Sequence, residues 1–240
     1  MLKKLFLASL VCGLCFGGEA TEFDGKVTDE LKKYFIANND VINDDLAGEW
    51  YLYWFDYQKY SKVENDEFER AEAFKQGKEA FEKLKEQHKN LDTNKTYVIF
   101  SKANFGEYDF EKENFPVDFI NEKSFFRLNL GKLNSNITDS IVVFDNVDTD
   151  KHVLKMPKDE ANKFLKSRKD GSFFDRKIEV DLEFTLNKVE LGENSHEITE
   201  RHITPEIKVT GHIKRIILMD QKVVDPKSKK SKVLSVIEYE

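Results

Sequence analysis

From Ile178 to Asn187 apolar and polar residues alternate without a break: Ile178, Val180, Leu182, Phe184 and Leu186 against Glu179, Asp181, Glu183, Thr185 and Asn187. A period of two sends successive side chains to opposite faces, so this segment is expected to be a strand with one buried face and one wet, acidic face. A second run, Glu206 to Met219, carries Ile207, Val209, Gly211 and Ile213 on one face and Lys208, Thr210, His212 and Lys214 on the other. Antiparallel pairing of the two runs sets opposite charges across the ladder, each pair contributing about 0.2–1 kcal/mol. The alternation fails at Arg215, because Ile216, Ile217 and Leu218 are consecutive, which predicts a bulge or two-sided burial there.

Shorter strands are predicted at Thr96–Ser101, Phe125–Leu130, Ile141–Phe144 and Val233–Tyr239, bounded by turn-forming residues. Before them the chain reads as helical. Thr28 is placed to cap a helix with Asp29 and Glu30 in its first turn and Leu31, Tyr34 and Phe35 as its stripe. The Asn- and Asp-rich stretch from Asn38 to Asp45 reads as a loop. A longer helix is expected from Asp66 to about Lys89, with Phe68, Ala71, Phe74, Phe81 and Leu84 on one face. One more opens at Pro157, where a missing N–H has no partner to lose, and ends at Gly171 after Lys166, Arg168 and Lys169; Ala161, Phe164 and Leu165 form its stripe. The predicted class is α+β: N-terminal helices packed on a mainly antiparallel β-sheet, with one further helix near 157–169. A single domain over 21–240 is expected, helical over 28–91 and β-rich over 95–240.

The start of the chain addresses the compartment. Residues 1–20 combine Lys3 and Lys4, an apolar run from Leu5 to Phe16 and small residues, the pattern of an export signal, with cleavage expected after Ala20. The apolar run is too short for a bilayer span. Cys12 and Cys15 follow Val11 and Leu14, where a lipidated cysteine wants a small residue before it, so lipid anchoring is not expected. Both cysteines fall inside the signal, and the mature chain is left without disulfides. Losing residues 1–20 removes two lysines and one glutamate, leaving 36 basic against 44 acidic side chains and a net charge of −8. That balance disfavours nucleic acid and anionic membranes as partners. Outside the signal the longest apolar run is the six residues Trp50–Phe55, so a soluble periplasmic or secreted product is expected.

Asn65-Asp66-Glu67-Phe68, Gly106-Glu107-Tyr108-Asp109-Phe110 followed by Phe115-Pro116, and Leu154-Lys155-Met156 leading into a helix at Ala161 carry a resemblance. The set resembles a family of exported bacterial proteins classed only as domains of unknown function, over roughly residues 50–240. The resemblance implies a bacterial envelope protein and brings no activity with it.

Seven of the eleven residues from Trp50 to Tyr60 are aromatic, and such rings stack on sugars or on a protein partner. On one helix Trp50, Trp54 and Tyr57 share a face with Tyr53 beside it, as core packing requires, which leaves Tyr51, Phe55 and Tyr60 as the binding candidates. Asp92-Thr93-Asn94-Lys95-Thr96 is similar to the extended bacterial N-glycosylation sequon, making Asn94 a modification candidate; Asn136-Ile137-Thr138 lacks the acidic residue. Neither the loop cluster His196, Glu197, Glu200, His202 nor Asp145, Asp148 and Asp150 has the spacing of a metal site, so no metal and no cofactor are expected. The lysines Lys227, Lys229, Lys230 and Lys232 read as a solvated hairpin tip. With no serine elbow, cysteine nucleophile or paired histidines, no catalytic residue is named. The chain reads as a non-catalytic envelope protein that binds an unknown protein or glycan; the alternative is a carboxylate-dependent envelope glycan hydrolase.

Overall fold

A computed structural model of the 240-residue chain describes residues 20–38, 45–128, 140–192, 207–224 and 231–240. In chain order these form β1 (Thr21–Glu22), α1 (Gly25–Asn38), α2 (Ala47–Phe55), α3 (Tyr57–Val63), α4 (Glu67–Gln87), β2 (Thr96–Phe105), β3 (Asn114–Asp118), β4 (Phe126–Leu128) and β5 (Ser140–Phe144). Then come β6 (Val153–Lys155), α5 (Lys158–Ser167), β7 (Lys169–Asp170), β8 (Phe173–Phe174), β9 (Lys177–Leu191), β10 (Ile207–Val224) and β11 (Ser231–Glu238). The architecture is mixed α+β, with a large sheet ordered β4-β5-β10-β9-β2-β3-β6, β1 added to β2 and β11 to β10. Its pairings are antiparallel except β1 with β2 and β10 with β5. The sheet is curled: Phe119, just after β3, has its ring 6.2 Å from Phe126 in β4, although four strands lie between β3 and β4 in the sheet order.

The two long strands form its centre. Ile178, Val180, Leu182, Phe184 and Leu186 of β9 are all buried, and Arg215 of β10 grips Glu183 through two hydrogen bonds of 2.7 and 3.0 Å. Lys208 Nζ lies 3.6 Å from Glu190. The broken alternation is a bulge. Ile213 pairs with Phe184 and Arg215 with Glu183, so Lys214 is an extra residue whose carbonyl accepts from Tyr239 N at 2.9 Å. The insertion moves the inward set from Ile207, Val209, Gly211 and Ile213 to Ile216, Leu218 and Asp220. Gly211 is required: a Cβ there would stand 2.7 Å from the Phe184 ring and 2.9 Å from Phe144, two rings that pack edge to face at 5.2 Å.

Several element limits differ from the sequence reading for identifiable reasons. Helix α1 starts at Gly25, ahead of Thr28, because Asp24 Oδ1 accepts from Lys26 N and Val27 N at 2.9 and 3.1 Å. Asp56 likewise divides the aromatic segment into α2 and α3 by accepting from Lys59 N. Helix α4, expected from Asp66 to about Lys89, runs from Glu67 to Gln87 with Asp66 as its cap, and buries Ala73, Gly77, Phe81 and Leu84. Phe68 is 88% exposed and Ala71 is exposed, because α4 meets α2 through glycine. A Cβ on Gly77 would lie 2.4 Å from the Gly48 carbonyl oxygen, so backbone contact, not side-chain size, sets the face. Gly171 does not end α5; with φ +60° it turns the β7–β8 hairpin, and α5 stops at Ser167. Strands β3 and β6 escaped the sequence reading because each is short and without alternation, and they pair with each other through Phe115 and Leu154. Residues 39–44 of the expected loop lie outside the described residues, Asn38 ends α1 and Asp45 lies in a turn.

Arg168, one of the basic residues the sequence places before the end of the 157–169 helix, is fully buried. Its Nη2 donates to Asp220 Oδ1 at 2.5 Å and its Nη1 to the Lys177 carbonyl at 2.7 Å, while its guanidinium lies 4.6 Å from the Phe164 ring centroid and 5.6 Å from that of Phe105. The Asp220 carboxylate also accepts from Lys222 N at 2.9 Å. One ion pair therefore ties the end of α5 and the start of β9 to the far half of β10. Breaking a buried pair leaves an uncompensated charge, so Asp220→Ala is expected to cost about 3–5 kcal/mol in urea unfolding. Replacing both partners, Arg168→Met with Asp220→Leu, should recover most of that loss; a double variant no more stable than the single would refute this account.

Candidate functional site

Strand β2 pairs with β9 from Thr96 to Asn104 along one edge. Its other edge is shared: β1 takes Tyr97 and Val98, and β3 takes Asn104 and Phe105. Phe23 N donates to the Val98 carbonyl at 2.9 Å, which shows that the even-numbered residues of β2 turn their backbone groups to this second edge. Phe100 and Lys102 therefore point N–H and C=O at a stretch, Ile99 to Ala103, where no described strand pairs with them. The interruption is five residues, roughly 17 Å of extended chain. An unpaired row of strand donors and acceptors is a template for another chain.

Two hollows flank this stretch. One, of about 380 Å³, is lined by Phe100, Ser101, Lys102, Glu179 and Asp181; the other, of about 300 Å³, lies between Ser101 and Lys102 and the segment that follows β3, with Phe119, Ile120, Lys123, Ser124, Phe125 and Phe126. The first is acidic because β9 registers Asp181 beside Phe100 and Glu179 beside Lys102. Glu179 also accepts from Ser231 Oγ at 2.6 Å. The second combines three phenylalanine rings and Ile120 with two lysines and two serines. Phe100 is 59% exposed and Phe125 51%. The sequence carried one signal of this: in the Thr96–Ser101 strand Phe100 falls on the phase opposite Tyr97 and Ile99, an aromatic ring on the outward face.

The residues singled out from sequence are dispersed. Tyr51 and Phe55 are half-buried, with ring centroids 5.3 Å apart. Tyr60 is buried in a small separate cluster with Leu52, Val63 and Ala73, its ring parallel to Phe74 at 6.4 Å and edge-on to Tyr53. Asn94 is exposed in a turn whose Asp92 Oδ1 accepts from Asn94 N and Lys95 N, so the acidic residue of the sequon shapes the loop that presents the asparagine. Asp145 meets His212, Oδ1 to Nδ1 at 2.9 Å, and accepts from Asn187 at 2.7 Å; Asp148 accepts from Asp150 N. Among the described residues no group of three His, Cys, Asp or Glu is placed to hold a metal ion. Residues 1–19 with both cysteines, Asn136, His196, Glu197, Glu200, His202, Lys227, Lys229 and Lys230 lie outside the described residues. No helix among the described residues is long and apolar enough to cross a membrane.

Near the second hollow, His152 is buried and shares a 2.8 Å hydrogen bond with the Tyr239 hydroxyl. Burial holds the His152 pKa below its ordinary 6.5, outweighing the opposing pull of the Asp148 charge, and burial raises that of Tyr239. Both shifts favour the neutral forms, as a structural pair requires.

A family model described as Domain of unknown function (DUF4852) matches residues 43–167, just over half of the chain. No curated protein and no solved structure matches. The matched stretch includes β2, β3, β4 and the segment between them, and stops before β9 and its two carboxylates.

Two measurements test this geometry. Amide exchange should alternate along β2, fast at Phe100 and Lys102 and slow at Ile99, Ser101 and Ala103; uniform protection across the five would mean the edge is covered. Below pH 6.5 an unfolded chain binds a proton that the folded His152 refuses, so thermal stability should fall between pH 7.5 and 5.5. His152→Gln should flatten that slope, and an unchanged slope would place the titration elsewhere.

Proposed function

The chain belongs to the DUF4852 family of domains of unknown function, and on that premise we propose that it is an exported bacterial envelope protein that works by binding a partner and not by catalysis. The observation that carries this reading is the interrupted edge of β2, a set of backbone donors and acceptors flanked by two hollows. The leader-like residues 1–20 support export, with cleavage after Ala20 and a product free in the periplasm or secreted, without a lipid anchor.

In this reading residues 21–240 are one domain whose N-terminal helices pack on the sheet. Leu31, Phe35, Trp50 and Phe81 join the buried cluster that holds Ile99, Leu182 and Ile213, and the Phe23 ring lies 5.3 Å from Phe184. The helices would then cover the apolar face and leave the β2 edge for recognition. Asn94 is retained as a glycosylation candidate on its exposed turn, and no nucleic acid or cofactor is assigned. A second reading, envelope glycan hydrolysis by paired carboxylates, draws on Glu179 and Asp181 lining one hollow.

Fractionation with intact mass decides the export part. The protein from periplasmic and culture fractions should match Thr21–Glu240, with added glycan mass traced to Asn94 if that site is used; a full-length product confined to the cytosol would overturn export. The same preparation, incubated with peptidoglycan, should release no fragments. Release abolished by Glu179→Gln would replace binding by hydrolysis.

A further inference from the structure

The occupant of the β2 edge is constrained by what already sits there. Strand β1 reaches Val98 and β3 begins at Asn104, so an entering chain has five residues in which to pair before it meets a neighbour. A second copy of this sheet cannot enter by its own β2 edge, since that strand is ten residues long and carries β1 and β3 with it. A chain end or a thin extended loop fits.

From this edge and its two hollows we infer that the protein captures a short extended peptide as an added strand between β1 and β3, with a basic side chain over Phe100 and apolar side chains turned the other way. The inference rests on the partner-binding reading above and names its partner class. Side chains of an added strand alternate between the faces of the sheet, as β2 itself alternates. Residues of the peptide that lie opposite Phe100 and Lys102 point to the outer face. There an exposed aromatic ring offers a cation–π surface, and the hollow beside it is lined by the acidic residues Glu179 and Asp181. Lys102 disfavours a second basic residue next to the first, which makes the preference one basic position and not a polybasic run. Residues opposite Ile99, Ser101 and Ala103 turn inward, towards the side where Phe119, Ile120 and Phe126 line the second hollow. Phe100 and Lys102 contribute the two backbone N–H and two C=O groups that fix the peptide main chain.

The test uses the full mature chain and two blocked pentapeptides, Val-Thr-Val-Arg-Val and Val-Arg-Val-Thr-Val, which place arginine beside Phe100 in an antiparallel and a parallel strand respectively. Titration followed by amide NMR should show one of them binding in the micromolar to millimolar range, with the largest shifts at Phe100 and Lys102 and new exchange protection there. Glutamate in place of arginine, or N-methylation of alternate peptide amides, should weaken binding at least about tenfold, or 1.4 kcal/mol. Asp181→Lys should reverse the preference for arginine over glutamate. Lys102→Pro removes an edge N–H without touching the β9 ladder and should weaken binding by a similar factor, its thermal unfolding confirming that it folds.

The inference is overturned if neither peptide binds at millimolar concentration, if N-methylated copies bind equally, or if the Phe100 and Lys102 amides are already protected in the free chain by one of its own segments. The first two results leave the open edge to another occupant, the third removes the observation on which partner binding rests, and export is decided separately by fractionation. Peptide binding by a protein found only in the cytosol would instead keep the edge and discard the envelope assignment.

Discussion

A guanidinium with no exposed surface organises one end of this molecule. Arg168 leaves the last turn of α5 and passes beneath the sheet to meet Asp220, ringed by Phe105 and Phe164. An ion buried in an apolar setting needs a countercharge and hydrogen bonds to offset its lost hydration, so the pair constrains what surrounds it. The α5 terminus, the opening of β9 and the far half of β10 must arrive together, because each supplies a bond that the cation needs. Its Nε finds no partner among the described residues.

The central strands were legible because their periodicity is long and strict. Ten residues of β9 and the first eight of β10 alternate, and the consecutive Ile216, Ile217 and Leu218 announced the bulge. Elements that depend on tertiary contact were not legible. Strand β3 contains Pro116 and holds only three paired positions with β6, and the buried face of α4 follows a glycine crossing that no scale of side-chain hydrophobicity registers. The burial of Arg168 is not legible for the same reason: charges are exposed by default, and only its partner 52 residues away permits this one to be buried.

The candidate site was the least legible feature, since it is defined by pairing that is missing. Side chains announce binding sites in sequence; a stretch of unpaired backbone does not. Phe100 alone hinted at it, while the aromatic run from Trp50 to Tyr60 drew notice through composition. Tyr60 and its neighbours make ring contacts among themselves at 5.4–6.4 Å, a consumption of aromatic surface by the fold itself.

The extra residue at Lys214 has a further meaning. Strand faces obey parity, and an inserted residue exchanges odd for even beyond the point of insertion. Upstream of Lys214 the odd positions of β10 look inward; downstream the even ones do, and Asp220 is even. Were the pairing regular through Lys214, with no residue bulged out, Asp220 would turn to the outer face and Arg215, Ile217 and Met219 would take the interior, presenting Arg168 with hydrocarbon. The bulge therefore works as a frame shift written in three dimensions: it lets a single strand serve a hydrophobic interior in its first half and an ionic one at its end.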